Sequence, residues 1–371
     1  MRVRFMVALL GVLVAGLCVA VPNAAEARKA LVLDAPVVVG DQVHVTGSVR
    51  IKAKKVIIQR LEGKTWKKVT KAKIEKGKFQ TDVPLLGEAQ KLRAVVKKKK
   101  SKARLVPAGS FDSCGLRPLK ADGTPWSCTF VDNFDGTTLD RTKWVPQTVF
   151  SSGNYPLGAF ACYYDDPSNV SVSEGALHLT VRNQPPPRGC TDSFNVLFPT
   201  PYSAGMVTTY HLFSQQYGRF EARFRNTKTD QPGLQESWWL FPDDREGPLG
   251  SWPLAGEIDI VETYSKYPGL GVPYLHYTYN DNGGPVPGLN TSWDCKAERG
   301  VYNTYTLDWT ATSLEAYVNG KLCLRNTSGN TAFMKKYILN LTQALGNGEN
   351  AYTGTAPLPA TMDVDYVRVW Q

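Results

Sequence analysis

Gly256-Glu257-Ile258-Asp259-Ile260-Val261-Glu262 sets three carboxylates among Ile and Val residues. β-Branched residues at this density specify a strand. Side chains alternate along a strand, so Glu257 and Asp259 share a face while Glu262 would point away. One extra residue, a β-bulge near Ile260-Val261, returns Glu262 to the face of Glu257. All three acids then line one surface. A solvated edge strand or a calcium site would use the same residues.

Two carboxylates held on one face suit bond cleavage at a sugar, one attacking the anomeric carbon and the other protonating the leaving oxygen. The acid needs a raised pKa, which crowded negative neighbours and apolar walls supply. Asp259, between the two, is placed to share a proton with the attacking group. Trp238-Trp239 and Trp252-Pro253 flank the acids in sequence, and flat aromatic faces suit stacking on sugar rings. Adjacent strand residues face opposite ways, so one of Trp238 and Trp239 is expected in a core. Trp238, Trp239, Trp252 and Gln343 are the candidate substrate-binding residues. His276, within Tyr274-Leu275-His276-Tyr277, is a candidate hydrogen-bond partner of the acid/base, although a lone strand histidine is often structural.

Alternation continues on both sides. Leu177, Leu179 and Val181 alternate with polar residues, as do Phe220, Ala222 and Phe224, and Tyr305, Leu307 and Trp309. Val318-Asn319-Gly320-Lys321 reads as a hairpin turn. Helical periodicity and internal repeats are missing, so the chain is all-β. Its C-terminal part is expected to form one large sandwich of two antiparallel sheets.

The net charge of +10 hides two opposite parts. Arg28 to Ser110 carries 22 Lys/Arg against 6 Asp/Glu, whereas Phe111 to Gln371 carries 19 against 26. The basic part has short strands and turn signals at Glu62-Gly63-Lys64 and Lys76-Gly77-Lys78. It is expected to be a small β-sandwich resembling immunoglobulin-like modules. Lys97 to Lys100 reads as its solvated end, and residues 107–127 as a linker to a catalytic domain over 128–371. Such a charge division points to an anionic wall polymer as a partner of the basic domain rather than nucleic acid, and the chain is expected to be a monomer.

Arg2 and Arg4 precede uninterrupted apolar sequence from Phe5 to Val21, and Ala25-Glu26-Ala27 offers a cleavage site. Residues 1–27 therefore read as an export signal. Cleavage leaves six cysteines, in sequence-local pairs 114/128, 162/190 and 295/323, expected as disulfides in an oxidising compartment. No Cys-x-x-Cys occurs, which argues against zinc. Asn169, Asn290, Asn326 and Asn340 begin glycosylation sequons.

The hexapeptide Glu257 to Glu262 (EIDIVE) resembles the active-site signature of family-sixteen glycoside hydrolases, the laminarinase and lichenase group. So do Trp252-Pro253-Leu254-Ala255-Gly256, Tyr217 to Arg223, Tyr305 to Trp309 and Val364 to Trp370, in the family's order. The resemblance implies a concanavalin A-like β-jelly-roll and a retaining mechanism. Glu257 would be the nucleophile, Asp259 its partner and Glu262 the acid/base. The bulged spacing is that of the endo-β-1,3-glucanase branch, which agarases and carrageenases share. The segment Gly233-Leu234-Gln235-Glu236-Ser237 departs from the usual laminarinase pattern, which bears on subsite preference. The resemblance implies no cofactor for catalysis and a structural calcium, with Asp365 and Gly175 as its candidate ligands. A wall-remodelling transglycosylase and a non-catalytic glucan-binding protein are the alternatives on the same fold.

Overall fold

The computed structural model describes residues 30–39, 42–149, 159–191, 197–279, 286 and 289–371. The expected export segment, residues 1–27, lies outside them. The chain divides into two compact units, Met1–Gly109 and Ser110–Gln371. Among the described residues there is no α-helix, only three short 3₁₀ turns.

The N-terminal unit holds two small sheets. In the first, Gln42–Val49 pairs with Leu31–Leu33, Val37–Val39 and Lys78–Pro84. In the second, Lys55–Glu62 lies between Thr65–Lys73 and Gln90–Val96. Period-two patterning turns Val43, Val45, Val56, Ile58, Val83, Leu92 and Ala94 fully inward. The lysine run stays exposed, yet Lys99–Lys100 and Arg104–Val106 still pair with Gln90–Val96.

Residues 107–127 do not all form a linker, because Ser110 onward belongs to the second unit. Cys114 is buried and disulfide-bonded to Cys128. The Ser127 N–H donates to the Gln371 carbonyl. This anchor rests on a covalent pairing that local composition cannot report.

The second unit is a jelly-roll sandwich. One layer orders Val272–His276, Glu257–Tyr264, Leu234–Pro242, Tyr337–Leu345 and Leu197–Thr208. The other orders Ala176–Thr191, Ala360–Trp370, Gly218–Asn226, Asn303–Trp309, Leu314–Val318 and Lys321–Asn326. They are continuous through pairing of Ala176–Thr191 with Leu197–Thr208. Pairings are antiparallel except at Cys162–Tyr163, which runs parallel to Leu197–Thr208. Between the layers, Trp238, Leu240, Ile258, Val261 and Leu341 meet Leu177, Phe220, Phe224, Tyr305, Leu307 and Val364 in one core. Asn319 and Gly320 both have positive φ, 51° and 75°, the geometry that a two-residue hairpin turn demands.

All three expected disulfides are present, 114/128, 162/190 and 295/323. The sequon residues Asn169, Asn290, Asn326 and Asn340 are at most 2 % exposed, so folded protein does not present them for glycosylation.

Candidate active site

The carboxylate strand Glu257–Tyr264 lies between Leu234–Pro242 and Val272–His276. Its register on the first neighbour runs Ser237↔Glu262, Trp238↔Val261, Trp239↔Asp259 and Leu240↔Ile258. Ile260 is the unmatched residue, and it packs into the core with Ile258 and Val261. Directly paired residues share a face. Asp259 and Glu262 therefore stand with Trp239 and Ser237 on the outer face of the layer. Glu257, two residues from Asp259, stands there too. The register shifts at the same place against the other neighbour, between Asp259 and Glu262. Gly256 opens the strand at φ 90°, where a Cβ would lie 2.1 Å from the Tyr337 hydroxyl. Only glycine fits that entry.

The outer face gathers ionisable groups at close range. One ligand atom each from Glu257, Asp259 and His276 falls within 4.8 Å of the others. Trp252 Nε1 donates to Glu257 Oε2 at 2.7 Å. Burial, then the Asp259 charge, pushes the Glu257 carboxyl up to about 8, while His276 and the Trp252 N–H act the other way. Asp259 is 5 % exposed, and burial followed by the Glu262 charge also holds its carboxyl well above the usual range. Two neighbouring carboxyls that both resist ionisation share a proton. The Trp252 N–H favours the charged form of Glu257 without overcoming its burial.

His276 Nε2 lies 3.2 Å from Asp259 Oδ2. The histidine is thus joined to Asp259, not to Glu262, because its register partner across the strands is Glu257. Glu262 instead accepts from Gln235 Nε2 and from the Tyr264 hydroxyl, each at 2.6 Å. Burial and the Glu262 charge keep the Tyr264 hydroxyl protonated far above its ordinary range. Tyr264 stacks on Trp293 with centroids 5.8 Å apart and planes 9° apart.

The aromatic and amide candidates divide by parity. Trp252 is 47 % exposed beside Glu257. Trp239 shares the outer face with Asp259 and donates from Nε1 to Thr342. Trp238 is fully buried in the core and is not a sugar platform. Gln343 is also fully buried. It pairs in register with Glu236 and donates to Glu236 Oε1 on the inner face, so it cannot meet a substrate on the outer one.

Behind the site is a buried ion pair that local pattern did not reveal. Arg299 donates through Nη1 and Nη2 to both oxygens of Glu236, at 2.7 Å each. Thr263, next to Glu262 in the chain, adds its hydroxyl to Glu236 at 2.8 Å. Gln235 was legible only as part of the departing segment Gly233 to Ser237. Arg299 carried no sequence signal, because it meets Glu236 through tertiary structure alone.

The two calcium candidates offer one side chain and one backbone carbonyl. The Asp365 carboxylate is ion-paired with Arg223, and Gly175 occupies a turn where it offers only backbone oxygen. Calcium takes six to eight oxygen ligands. Among the described residues, no group of three ligating side chains includes Asp365.

Comparison with known proteins agrees with this architecture. A glucan endo-1,3-beta-glucosidase A1 from Niallia circulans is 29 % identical over 271 residues, 65 % of this chain and 37 % of that protein. A keratan-sulfate endo-1,4-beta-galactosidase from Sphingobacterium multivorum is 32 % identical over 185 residues, 47 % of this chain and 41 % of that protein. The chain thus spans less than half the length of these two relatives. The catalytic domain of a laminarinase from Thermotoga petrophila RKU-1 superimposes with a TM-score of 0.54 at 22 % identity, covering 66 % of this chain and 98 % of that one, a likeness of fold. The profile of glycosyl hydrolases family 16 matches residues 159–368, over half the chain and the whole of the carboxylate strand with its neighbours. On that match, the chain belongs to glycosyl hydrolases family 16.

Proposed function

We propose that the chain is an exported, retaining endo-glycosidase that hydrolyses a β-1,3-linked glucan. The observation that carries this reading is the bulge at Ile260, which gathers Glu257, Asp259 and Glu262 on one face. Glu257 attacks the anomeric carbon while Glu262 passes a proton to the departing glycosidic oxygen, and the C–O bond breaks. A glycosyl ester of Glu257 remains. Water then gives its proton to Glu262 and attacks the same carbon, releasing Glu257 and a product of unchanged configuration. Glu257 shares its proton with Asp259 and attacks in its ionised form. His276 positions Asp259 through the 3.2 Å contact. Gln235 and Tyr264 fix both oxygens of Glu262. Every proton and covalent step falls to a carboxyl group, so the scheme uses no cofactor.

Trp252 and Trp239 serve as sugar platforms in this reading. The β-1,3 linkage is favoured by the bulged spacing and by the name of the Niallia circulans relative. Export is supported by three disulfides, which persist in oxidising compartments. The chain acts as a monomer, and its basic N-terminal unit tethers it to an anionic wall polymer. The test is a panel of laminarin, mixed-linkage glucan, agarose and xyloglucan, with wild type and Glu257→Ala. Laminarin viscosity should fall before much reducing sugar appears, and the variant should be inactive. Strong activity on agarose with none on laminarin overturns the substrate assignment.

A further inference from the structure

The second sheet of the N-terminal unit has one inward face and one outward face. Val56, Ile58, Ala72, Leu92, Ala94 and Val96 fill the inward one. The outward face is ordered by register. Lys73 pairs with Lys55. Lys71 pairs with Ile57, Ile57 with Val95, and Val95 with Lys100. Lys68 pairs with Gln59, and Gln59 with Arg93. Lys91, two residues before Arg93, completes the face. Successive rows lie about 7 Å apart and neighbouring strands about 4.8 Å apart. Cationic groups therefore bracket a strip of half-buried Ile57, Gln59 and Val95.

Lys55, Lys68, Lys71, Lys91 and Lys100 are exposed. Glu75 pairs with Lys73 at one end of this face, while Glu62 is engaged with Arg60 and Lys67 and Asp82 with His44. So many uncompensated charges on one flat face repel one another unless an anion covers them. Trp66 is the face's aromatic ring, and the Arg93 guanidinium sits 4.0 Å over it. A row of free rings for stacking nucleobases is missing from this face, whereas sequence-tolerant single-strand binders rely on one.

We infer that this outward sheet face is a docking surface for an extended anionic polysaccharide, whose repeating negative groups are met by Lys55, Lys68, Lys71, Lys91 and Lys100. It rests on the tether reading and is independent of the catalytic one. Binding of this kind sums many weak contacts and is lost as salt rises. It concentrates the enzyme at a wall without altering the chemistry.

The test uses the full chain with all five lysines changed, Lys55→Gln, Lys68→Gln, Lys71→Gln, Lys91→Gln and Lys100→Gln, and a second version with Arg at each position. Polygalacturonate-coated beads are the probe, with neutral dextran beads and double-stranded DNA as comparisons. Wild type and the Arg version should bind polygalacturonate at low salt, with affinity falling steeply and linearly on a log–log salt plot. The Gln version should bind at least tenfold more weakly with a shallower slope. Laminarin turnover should be equal in all three, so a failure of the catalytic reading would show separately. Equal binding by wild type and the Gln version overturns the proposal, including where the Gln version aggregates and the lysines prove to be edge-strand guards. Tighter binding to DNA than to polygalacturonate also overturns it, in favour of nucleic acid.

Discussion

The indole nitrogen of Trp252 donates to Oε2 of Glu257 across 2.7 Å, from a ring that is itself nearly half exposed. In the proposed mechanism, one residue thereby joins a substrate platform to the ionisation of the attacking carboxylate. The donated N–H opposes the burial that raises Glu257 to about 8. Trp252→Phe keeps an aromatic ring and deletes the donor. Glu257 should then be harder to ionise, and the acid limb of kcat/KM should move to higher pH. Moving that limb up by one pH unit lowers activity on it about tenfold. A pH–rate profile on laminarin checks this, and an unmoved limb contradicts it.

Asp259→Asn should move the same limb the opposite way. The Asp259 charge is the second-largest cause raising Glu257, after burial. Its removal lets Glu257 ionise at a lower pH. Turnover should fall as well, because the proton-sharing partner is gone. Opposite movements of the limb in the two variants would separate hydrogen bonding from charge as causes.

Folding stability should also respond to pH through Glu257. An unfolded chain ionises this carboxyl near 4.5, while the folded one holds its proton up to about 8. Between these values the folded state binds more protons, so stability falls as pH rises through the window. Glu257→Gln should therefore melt higher than wild type at pH 8, with the difference vanishing below pH 4.5. Calorimetry at the two pH values checks the sign.

Trp238 and Trp239 should separate stability from binding. Trp238→Ala empties a fully buried core position and should cost about 3–5 kcal/mol in urea unfolding. Trp239→Ala should raise KM for laminarin roughly tenfold with a smaller loss of stability.

Breaking the ion pair behind the site should be costly. Arg299→Met leaves Glu236 buried and unpaired, a loss of about 3–5 kcal/mol. The double variant Glu236→Leu with Arg299→Met should recover much of it, measured by the same unfolding assay.

What the sequence showed and what it hid follow one division. Features set by local period were legible, namely the buried faces at Leu177, Phe220 and Leu307, the Asn319-Gly320 turn and the bulge that turns Glu262 outward. Features set by contact across the sheet were not. The inward parity of Gln343 comes from its pairing with Glu236, and its sequence neighbours do not reveal it. The same holds for His276, whose partner follows from the register of two strands. Gln235 meets Glu262 only because Leu234–Pro242 lies beside the carboxylate strand. Arg299 and the anchored residues 110–127 depend on contacts with segments far away in the chain.

The most direct test of the central claim, double displacement by Glu257 and Glu262, is the configuration of the first product. Proton NMR of laminarin cleavage, recorded faster than mutarotation, reads the new reducing end. Double displacement predicts that the β-anomer appears first and then decays towards the equilibrium mixture. Initial release of the α-anomer would contradict it.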